Sequence, residues 1–234
     1  MNISKSIKQF NTFGLDVVSN DFNIAKNEDE IINFLNKHSN NNPIVLGGGS
    51  NILFKKDVER PVLKIEIKGI NVVKEDSDFV YISVGAGENW DNFVNWSLRK
   101  DYGGIENLSL IPGNVGSAPI QNIGAYGVEL DSVFESCRAI SLENKKVKIF
   151  HKIDCDFTYR SSVFKEKLKK SITADFSNDE ITKFKCDLVI SNATIEHVGS
   201  IENQIKMCEN IIKLSKKYFI INTPNRFHPI EFHT

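Results

Sequence analysis

Apolar positions recur along the 234 residues with two different periods, and the change from one to the other marks the predicted elements. Asn27 stands three places before Glu30, a pairing that suits a helix start, and Ile31, Phe34 and Leu35 then fall on one helical face. Residues 43–46 read as a short buried strand that runs into the glycine loop 47–51 and out again through Ile52, Leu53 and Phe54. Alternation at Leu63, Ile65 and Ile67, and again over residues 79–84, predicts sheet strands separated by the polar stretch 74–78. Gly85-Ala86-Gly87 ends a strand, and Trp90, Phe93, Val94 and Leu98 return to helical spacing, so a second helix starts near Glu88 or Asn89.

Residues 103–127 combine many glycines and two prolines with Ile105, Leu108, Leu110, Ile111, Val115, Ile120 and Ile123. A disordered linker does not hold so many large apolar side chains, so this stretch reads as a long, ordered, buried loop whose glycines permit positive φ and close backbone approach. Strand patterns follow at 133–142 and 147–150. Beyond about residue 172 the pattern changes. Residues 186–191 form a continuous apolar strand, Ile201, Gln204, Ile205, Cys208, Ile211, Ile212 and Ser215 trace a helix face, and residues 218–222 form another strand. That order is a β-α-β unit and implies parallel strands of a doubly wound sheet. An α+β portion therefore joins a short α/β portion near 170–176, with no internal repeat.

Composition narrows the possibilities. With 41% apolar and 25% charged residues, disorder is excluded. A formal charge of -1 supplies no field for a polyanion, so no nucleic-acid partner is expected. No apolar run approaches the roughly 18 residues of a membrane span, and the first residues lack the pattern of a secretion signal. No membrane association and a cytosolic location are expected. Cys137, Cys155, Cys186 and Cys208 show no C-x-x-C spacing and read as reduced, buried thiols.

The two glycine-bearing loops carry the chemistry. Bare backbone N–H groups at Gly47, Gly48 and Gly49, with the short polar side chains of Ser50, Asn51, Ser117, Gln121 and Asn122, suit a diphosphate needing many donors at close range. Neither loop is G-x-G-x-x-G followed by a helix, so a Rossmann nucleotide site is not indicated. His228, Glu231 and His233 lack a regular element to place them on one side, and no metal is expected. Glu196 and His197 read as local caps, Trp90 and Phe93 as core, and Lys165, Lys167, Lys169 and Lys170 as a solvated face.

Asn11-Thr12-Phe13-Gly14, Leu46-Gly47-Gly48-Gly49-Ser50-Asn51, Gly85-Ala86-Gly87, Gly104-Ile105-Glu106-Asn107-Leu108, Ile111-Pro112-Gly113, Val115-Gly116, Pro119-Ile120-Gln121-Asn122-Ile123-Gly124-Ala125-Tyr126-Gly127 and Tyr159-Arg160 together resemble the UDP-N-acetylenolpyruvoylglucosamine reductase family. The resemblance spans about residues 7–172 and implies an FAD-binding domain over 1–172, α+β, of the vanillyl-alcohol-oxidase or PCMH type. It implies that the glycine loop 47–51 and the residues Pro112, Gly113, Gly116, Ser117, Ile120, Gln121, Asn122, Gly124, Ala125, Tyr126 and Gly127 hold FAD. It also implies NADPH as hydride donor and, as substrate, a small nucleotide sugar, UDP-N-acetylglucosamine enolpyruvate. Arg160 is then the catalytic cation that holds the substrate carboxylate, since its forked guanidinium binds a carboxylate through two bonds, and Tyr159 positions the substrate. The family's proton-donating serine in a Gly-Ser-Phe-Phe context and its glutamate near the C-terminus have no counterpart in this sequence. The implied function is thus that reductase with impaired turnover, the alternative a flavin-binding module without turnover.

The tail has its own resemblance. Residues 187–198 and 222–234 look like the middle of a class I S-adenosylmethionine-dependent methyltransferase, which makes 173–234 a partial methyltransferase-like segment. Nothing upstream supplies that family's cofactor loop, so S-adenosylmethionine is not expected to bind, and methyl transfer ranks third. Two partial resemblances that abut without a linker point to a fusion, a gene rearrangement or an assembly error.

Overall fold

A computed structural model describes residues 4–38, 41–54, 56–167, 186–192 and 200–222. The chain divides into two compact units, Met1–Lys169 and Lys170–Thr234.

The first unit opens with a small antiparallel pair, β1 (Lys5–Ser6) and β2 (Val18–Ser19), and continues into β3 (Phe22–Ala25). Helix α1 (Glu28–Lys37) starts where Asn27 and Glu30 predict: the Asn27 side chain accepts from Glu30 N at 2.9 Å, and Glu30 Oε2 accepts from Lys26 N at 2.6 Å. Such a cap is worth about 1 kcal/mol. Phe34 and Leu35 are buried on the expected face.

Strands β4 (Ile44–Leu46) and β5 (Val62–Ile65) join β3 in a parallel sheet of order β3-β5-β4. The alternation expected at Leu63 and Ile65 takes a different form here, because β5 is central and covered on both faces. Val62 packs with Ile7, Val17, Leu46, Phe54 and Val58, whereas Leu63 packs with Ala25, Phe34 and Leu35. Lys64 is also buried and pairs with Glu66 at 2.7 Å. Residues 52–54, expected as a strand, form none; Phe54 is buried in the first of these clusters as irregular backbone.

An antiparallel pair follows, β6 (Ile70–Glu75) and β7 (Val80–Val84). The sequence shows β7 but hides β6, whose residues from Asn71 on are exposed and so carry no apolar alternation. Helix α2 (Trp90–Leu98) begins close to the expected start, with Asn89 as its N-cap accepting from Asn92 N at 2.9 Å. Trp90 and Val94 anchor a third cluster with Ile105, Leu108, Ala118 and Leu130, and Trp90 Nε1 donates to Leu108 O at 2.8 Å. Trp90 and Phe93 thus pack as core.

The long loop 103–127 is ordered, as expected, through 3₁₀ turns at Glu106–Leu108 and Val115–Gln121. It ends in a two-residue hairpin of β8 (Gly124–Ala125) and β9 (Val128–Glu129), in which Tyr126 and Gly127 both take positive φ. A further hairpin, β10 (Ser136–Ile140) with β11 (Val147–His151), is shorter in its first strand than the expected 133–142. Arg138 on β10 forks onto Glu28 at the start of α1 through two bonds of 2.8 Å, and that hydrogen bond holds the Glu28 carboxyl below the usual carboxylate range. The short helix α3 (Val163–Lys167) follows.

The second unit is the β-α-β arrangement read from the sequence: β12 (Cys186–Asn192), α4 (Ile201–Leu214) and β13 (Ser215–Asn222), with β12 and β13 parallel. The strand after α4 begins earlier than the expected residue 218. Glu196, His197, His228, Glu231 and His233 lie outside the described residues. No helix among the described residues is long and apolar enough to cross a membrane.

Cys155 is buried, Cys137 and Cys208 are partly so, and all three are free thiols. Burial pushes the Cys137 thiol up to about 11, with the neighbouring Cys155 adding to the shift. Since the thiolate is the nucleophile, iodoacetamide at pH 8 is expected to label Cys137 about two orders of magnitude more slowly than an unperturbed cysteine. Peptide mass spectrometry over a time course checks this; labelling at the rate of a free thiol would contradict the buried environment.

Candidate functional site

Three glycine-bearing stretches far apart in sequence meet in the first unit. The loop 47–51 leaves β4 and runs against residues 113–117 of the long loop. A Cβ built on Gly48 would stand 2.8 Å from Gly113 Cα and 3.0 Å from Asn114 Oδ1, so the two loops come together backbone to backbone. A Cβ on Gly47 would stand 3.8 Å from Ser117 Cβ, and one on Gly113 would stand 3.3 Å from Ser50 Oγ. The third stretch, Gly85-Ala86-Gly87, packs against residues 114–116. Gly116 N donates to Ala86 O at 3.0 Å, Val115 N to Glu88 O at 2.9 Å, and the buried Asn114 gives Nδ2 to Gly87 O at 3.2 Å. A Cβ on Gly116 would lie 2.6 Å from that of Ala86.

The segment Asn11-Thr12-Phe13-Gly14 braces the first loop from behind. Thr12 N donates to Gly49 O at 3.2 Å, and buried Asn11 ties its own turn together by donating Nδ2 to Ile7 O at 2.9 Å and accepting from Leu15 N at 3.0 Å. Gly49, with φ of 70°, lies so close to Phe10 that a Cβ would fall on the Phe10 carbonyl oxygen.

With the brace behind it, the loop keeps its donors unused. Among the described residues, the backbone N–H groups of Gly47, Gly48, Gly49, Ser50 and Asn51 donate to no protein acceptor, nor do those of Gly113 and Asn114. Unused main-chain donors in glycine-rich backbone form a concavity suited to an anion. Nearby charges are balanced within the protein: burial raises the Glu66 carboxyl, but hydrogen bonding and charge from Lys64 and Lys68 outweigh it and hold Glu66 below the usual carboxylate range. Lys68 also donates to Gly87 O.

The second group of expected site residues collects at the β8–β9 hairpin. Thr158 and Ser161 exchange two backbone bonds, 3.1 and 3.0 Å, so Tyr159 and Arg160 are the tip of a tight turn. Tyr159 is 80% exposed, and the Arg160 guanidinium lies 5.6 Å from its ring centre. Arg160 Nη1 sits 2.6 Å from where a Cβ on Gly124 would be, which places the arginine on bare backbone of the hairpin. Arg160, Gly124, Ala125, Tyr126 and Gly127 therefore come together. Pro112, Gly116, Gln121, Asn51 and Tyr126 are exposed, whereas Ile120 is half-buried, its carbonyl accepting from Ser162 Oγ at 2.9 Å. Lys165, expected on a solvated face, donates Nζ to Arg160 O at 3.1 Å.

One expected ligand is placed differently. Asn122 is 1% exposed, and its amide is used inside the protein: Nδ2 donates to Glu129 Oε2 and Thr158 O, and Oδ1 accepts from Asp131 N. Its side chain holds the turn rather than facing outward. Sequence reasoning missed Asn114 and Glu129 as site residues. Only their neighbourhood to the quoted motifs pointed to them.

The profile of the FAD binding domain family matches residues 22–147. The UDP-N-acetylenolpyruvoylglucosamine reductase of Flavobacterium johnsoniae is 44% identical over 164 residues, which are 70% of this chain and 49% of the relative. That of Amoebophilus asiaticus is 46% identical over 165 residues, again 70% and 49%. The chain spans about half the length of the curated relatives it matches. Among solved structures, the crystal structure of UDP-N-acetylenolpyruvylglucosamine reductase (MurB) from Thermus caldophilus has a TM-score of 0.54 at 21% identity, covering 68% of this chain and 56% of its own; the likeness is one of fold. It agrees with the α+β architecture expected for residues 1–172.

The residues present fit the cofactor of that family. FAD carries a diphosphate, and the unused N–H groups at 47–51 and 113–114 lie where a side chain on Gly48 would close the approach of the two loops. With the profile covering more than half of the residues and this cradle inside it, the chain belongs to the family of FAD binding domains.

Proposed function

We propose that this chain is the flavin-binding portion of an NADPH-linked reductase that converts UDP-N-acetylglucosamine enolpyruvate to UDP-N-acetylmuramate, a step of peptidoglycan precursor synthesis, in the cytoplasm. The observation that carries the proposal is the backbone contact of Gly48 with Gly113, which brings the donor-rich loop 47–51 against the second motif. The relatives that match 70% of the chain at 44–46% identity are reductases named for this substrate.

When bound, FAD would supply a two-electron relay between NADPH and the enolpyruvyl double bond. The protein's part is binding and electrostatics. The main-chain donors of residues 47–51 and 113–114 would hold the diphosphate. Arg160 would hold the substrate carboxylate in two bonds and stabilise the negative charge that develops on the adjoining carbon, and exposed Tyr159 beside it would contact the nucleotide sugar. Delivery of a proton to that carbon falls in this family to a serine in a Gly-Ser-Phe-Phe context, and the sequence contains no such motif. A second reading is a flavin-binding module without turnover, since the diphosphate donors and Arg160 bind and orient but deliver no proton.

The division into an FAD-binding part, 1–172, and a methyltransferase-like part, 173–234, belongs to the same proposal. The parallel β12-α4-β13 unit supports the latter, with methyl transfer third among the functions.

Anaerobic mixing tests the order. NADPH is expected to bleach the visible flavin band and the enolpyruvyl substrate to restore it, at a rate about 10²- to 10⁴-fold below that of a site with a positioned proton donor if this chain is tested alone. A band that stays bleached over hours assigns the chain to the second reading.

A further inference from the structure

We infer that Asn122 and Glu129 are positioning residues for Arg160, together forming a buried mount that aims the guanidinium. The inference rests on the proposed role of Arg160 toward a ligand carboxylate. Asn122 closes the 3₁₀ stretch Val115–Gln121 in the left-handed conformation, φ 42°, which asparagine tolerates better than most residues. From there Nδ2 reaches two elements at once, Glu129 Oε2 on β9 at 2.9 Å and Thr158 O at 3.2 Å, while Oδ1 accepts from Asp131 N at 3.0 Å. Both amide hydrogens are thereby used, one on the hairpin and one on the turn that carries Arg160.

Arg160 itself has φ 54°, a conformation an arginine keeps only where its surroundings impose it. Its carbonyl takes a bond from Lys165 Nζ, and Ser162, two places on, donates Oγ to Ile120 O. The side chain meets the hairpin at Gly124, the register partner of Glu129. Arg160 Nη1 and Glu129 Cγ stand 2.6 and 2.8 Å from the one point where a Gly124 Cβ would be. Glu129 Oε1 is buried and has no hydrogen-bond donor among the described residues. A carboxylate oxygen so placed favours a cation nearby and disfavours water, and the Arg160 guanidinium meets the same glycine, close by but without a direct ion pair. Asn122 fixes the carboxylate, the carboxylate attracts the guanidinium, and Gly124 leaves room for both.

Side-chain NMR of the full chain with FAD added tests this without substrate. The Arg160 Nε–H resonance, assigned by its loss in Arg160→Lys, is expected to lie apart from the exposed arginines and to exchange slowly with water. Glu129→Gln should move it into their envelope and speed exchange at least about tenfold. Unchanged shift and exchange in a folded Glu129→Gln protein would overturn the inference. If that variant does not fold, Arg160→Met, on an exposed turn, serves instead: the Glu129 carboxylate carbon signal must move, and a signal that stays put overturns the inference equally. Neither reading uses NADPH or the enolpyruvyl compound, so the reductase proposal and this one can fail separately. Where that compound binds, Glu129→Gln is expected to weaken it about tenfold in the natural background and not at all beside Arg160→Met; an equal loss in both would mark Glu129 as merely structural.

Discussion

Gly49→Ala is expected to lower the stability of the first unit by about 2–5 kcal/mol, enough to leave much of a marginal domain unfolded. Two costs combine. The residue has φ of 70°, where a Cβ alone costs about 1–2 kcal/mol. The added carbon would also fall on the Phe10 carbonyl oxygen, with Asn11 Cα at 3.0 Å, and neither is the far end of a flexible side chain. Relief requires the segment 10–12 to lift away, which breaks the bond from Thr12 N to Gly49 O and opens the core edge at Ile7. Gly14→Ala is the matched control: φ is 62°, but nothing lies within 4 Å of the new Cβ, so only the conformational cost applies. Denaturant titration of the two variants separates the effects. Equal midpoints would show that residues 10–12 do not press on the loop.

The same contact shows where sequence and structure part company. Local features were legible because they are written in adjacent residues: the Asn27 cap with Glu30, the Asn89 start of α2, the glycine loop, and the β-α-β order of the tail. Strand β6 was not, because a hairpin with exposed residues from Asn71 on has no apolar period to read. Residues 52–54 misled in the opposite sense. Their apolar character reflects the place of Ile52 and Phe54 beside one core cluster, not a strand.

For the site, the sequence supplied membership without geometry. The quoted motifs named Gly48, Gly113 and Ala86, but no pattern within a window of residues says that Gly48 abuts Gly113 or that Gly116 abuts Ala86. Those are contacts across long loops, and they explain why three separate stretches all carry glycine: each allows another backbone to approach where a Cβ would stop it. Asn122 illustrates the limit from the other side. A short polar residue in a glycine-rich loop reads as a ligand donor, yet burial turned its amide to Glu129, Thr158 and Asp131, where it organises the arginine turn. Residue type identified a polar role; only packing decided for whom.

Gly48→Ala should weaken FAD binding by about 10- to 100-fold while leaving the chain folded. The new methyl would meet Gly113 Cα at 2.8 Å, Asn114 Oδ1 at 3.0 Å and Gly113 C at 3.1 Å, and these atoms are held: Gly113 O accepts from Trp90 N, and Asn114 is tied to Gly87. Overpacking of this kind costs about 1–3 kcal/mol, and it is relieved most directly by parting the two loops. Each 1.4 kcal/mol lost from the bound geometry is tenfold in affinity. The parting shifts the free N–H groups of 47–51 away from those of 113–114, so the diphosphate loses donors on one side or the other. Gly47→Ala is the companion, one residue earlier in the same loop. Its Cβ would find Ser117 at 3.8 Å, ordinary contact, and affinity should stay close to that of the unaltered chain. Flavin fluorescence titration gives both dissociation constants, and thermal melting confirms that each variant is folded. Equal losses at the two positions would mean that any side chain in the loop obstructs the cofactor, and that the interlock of Gly48 with Gly113 does not set the cradle; no loss at either would remove this loop from the flavin site.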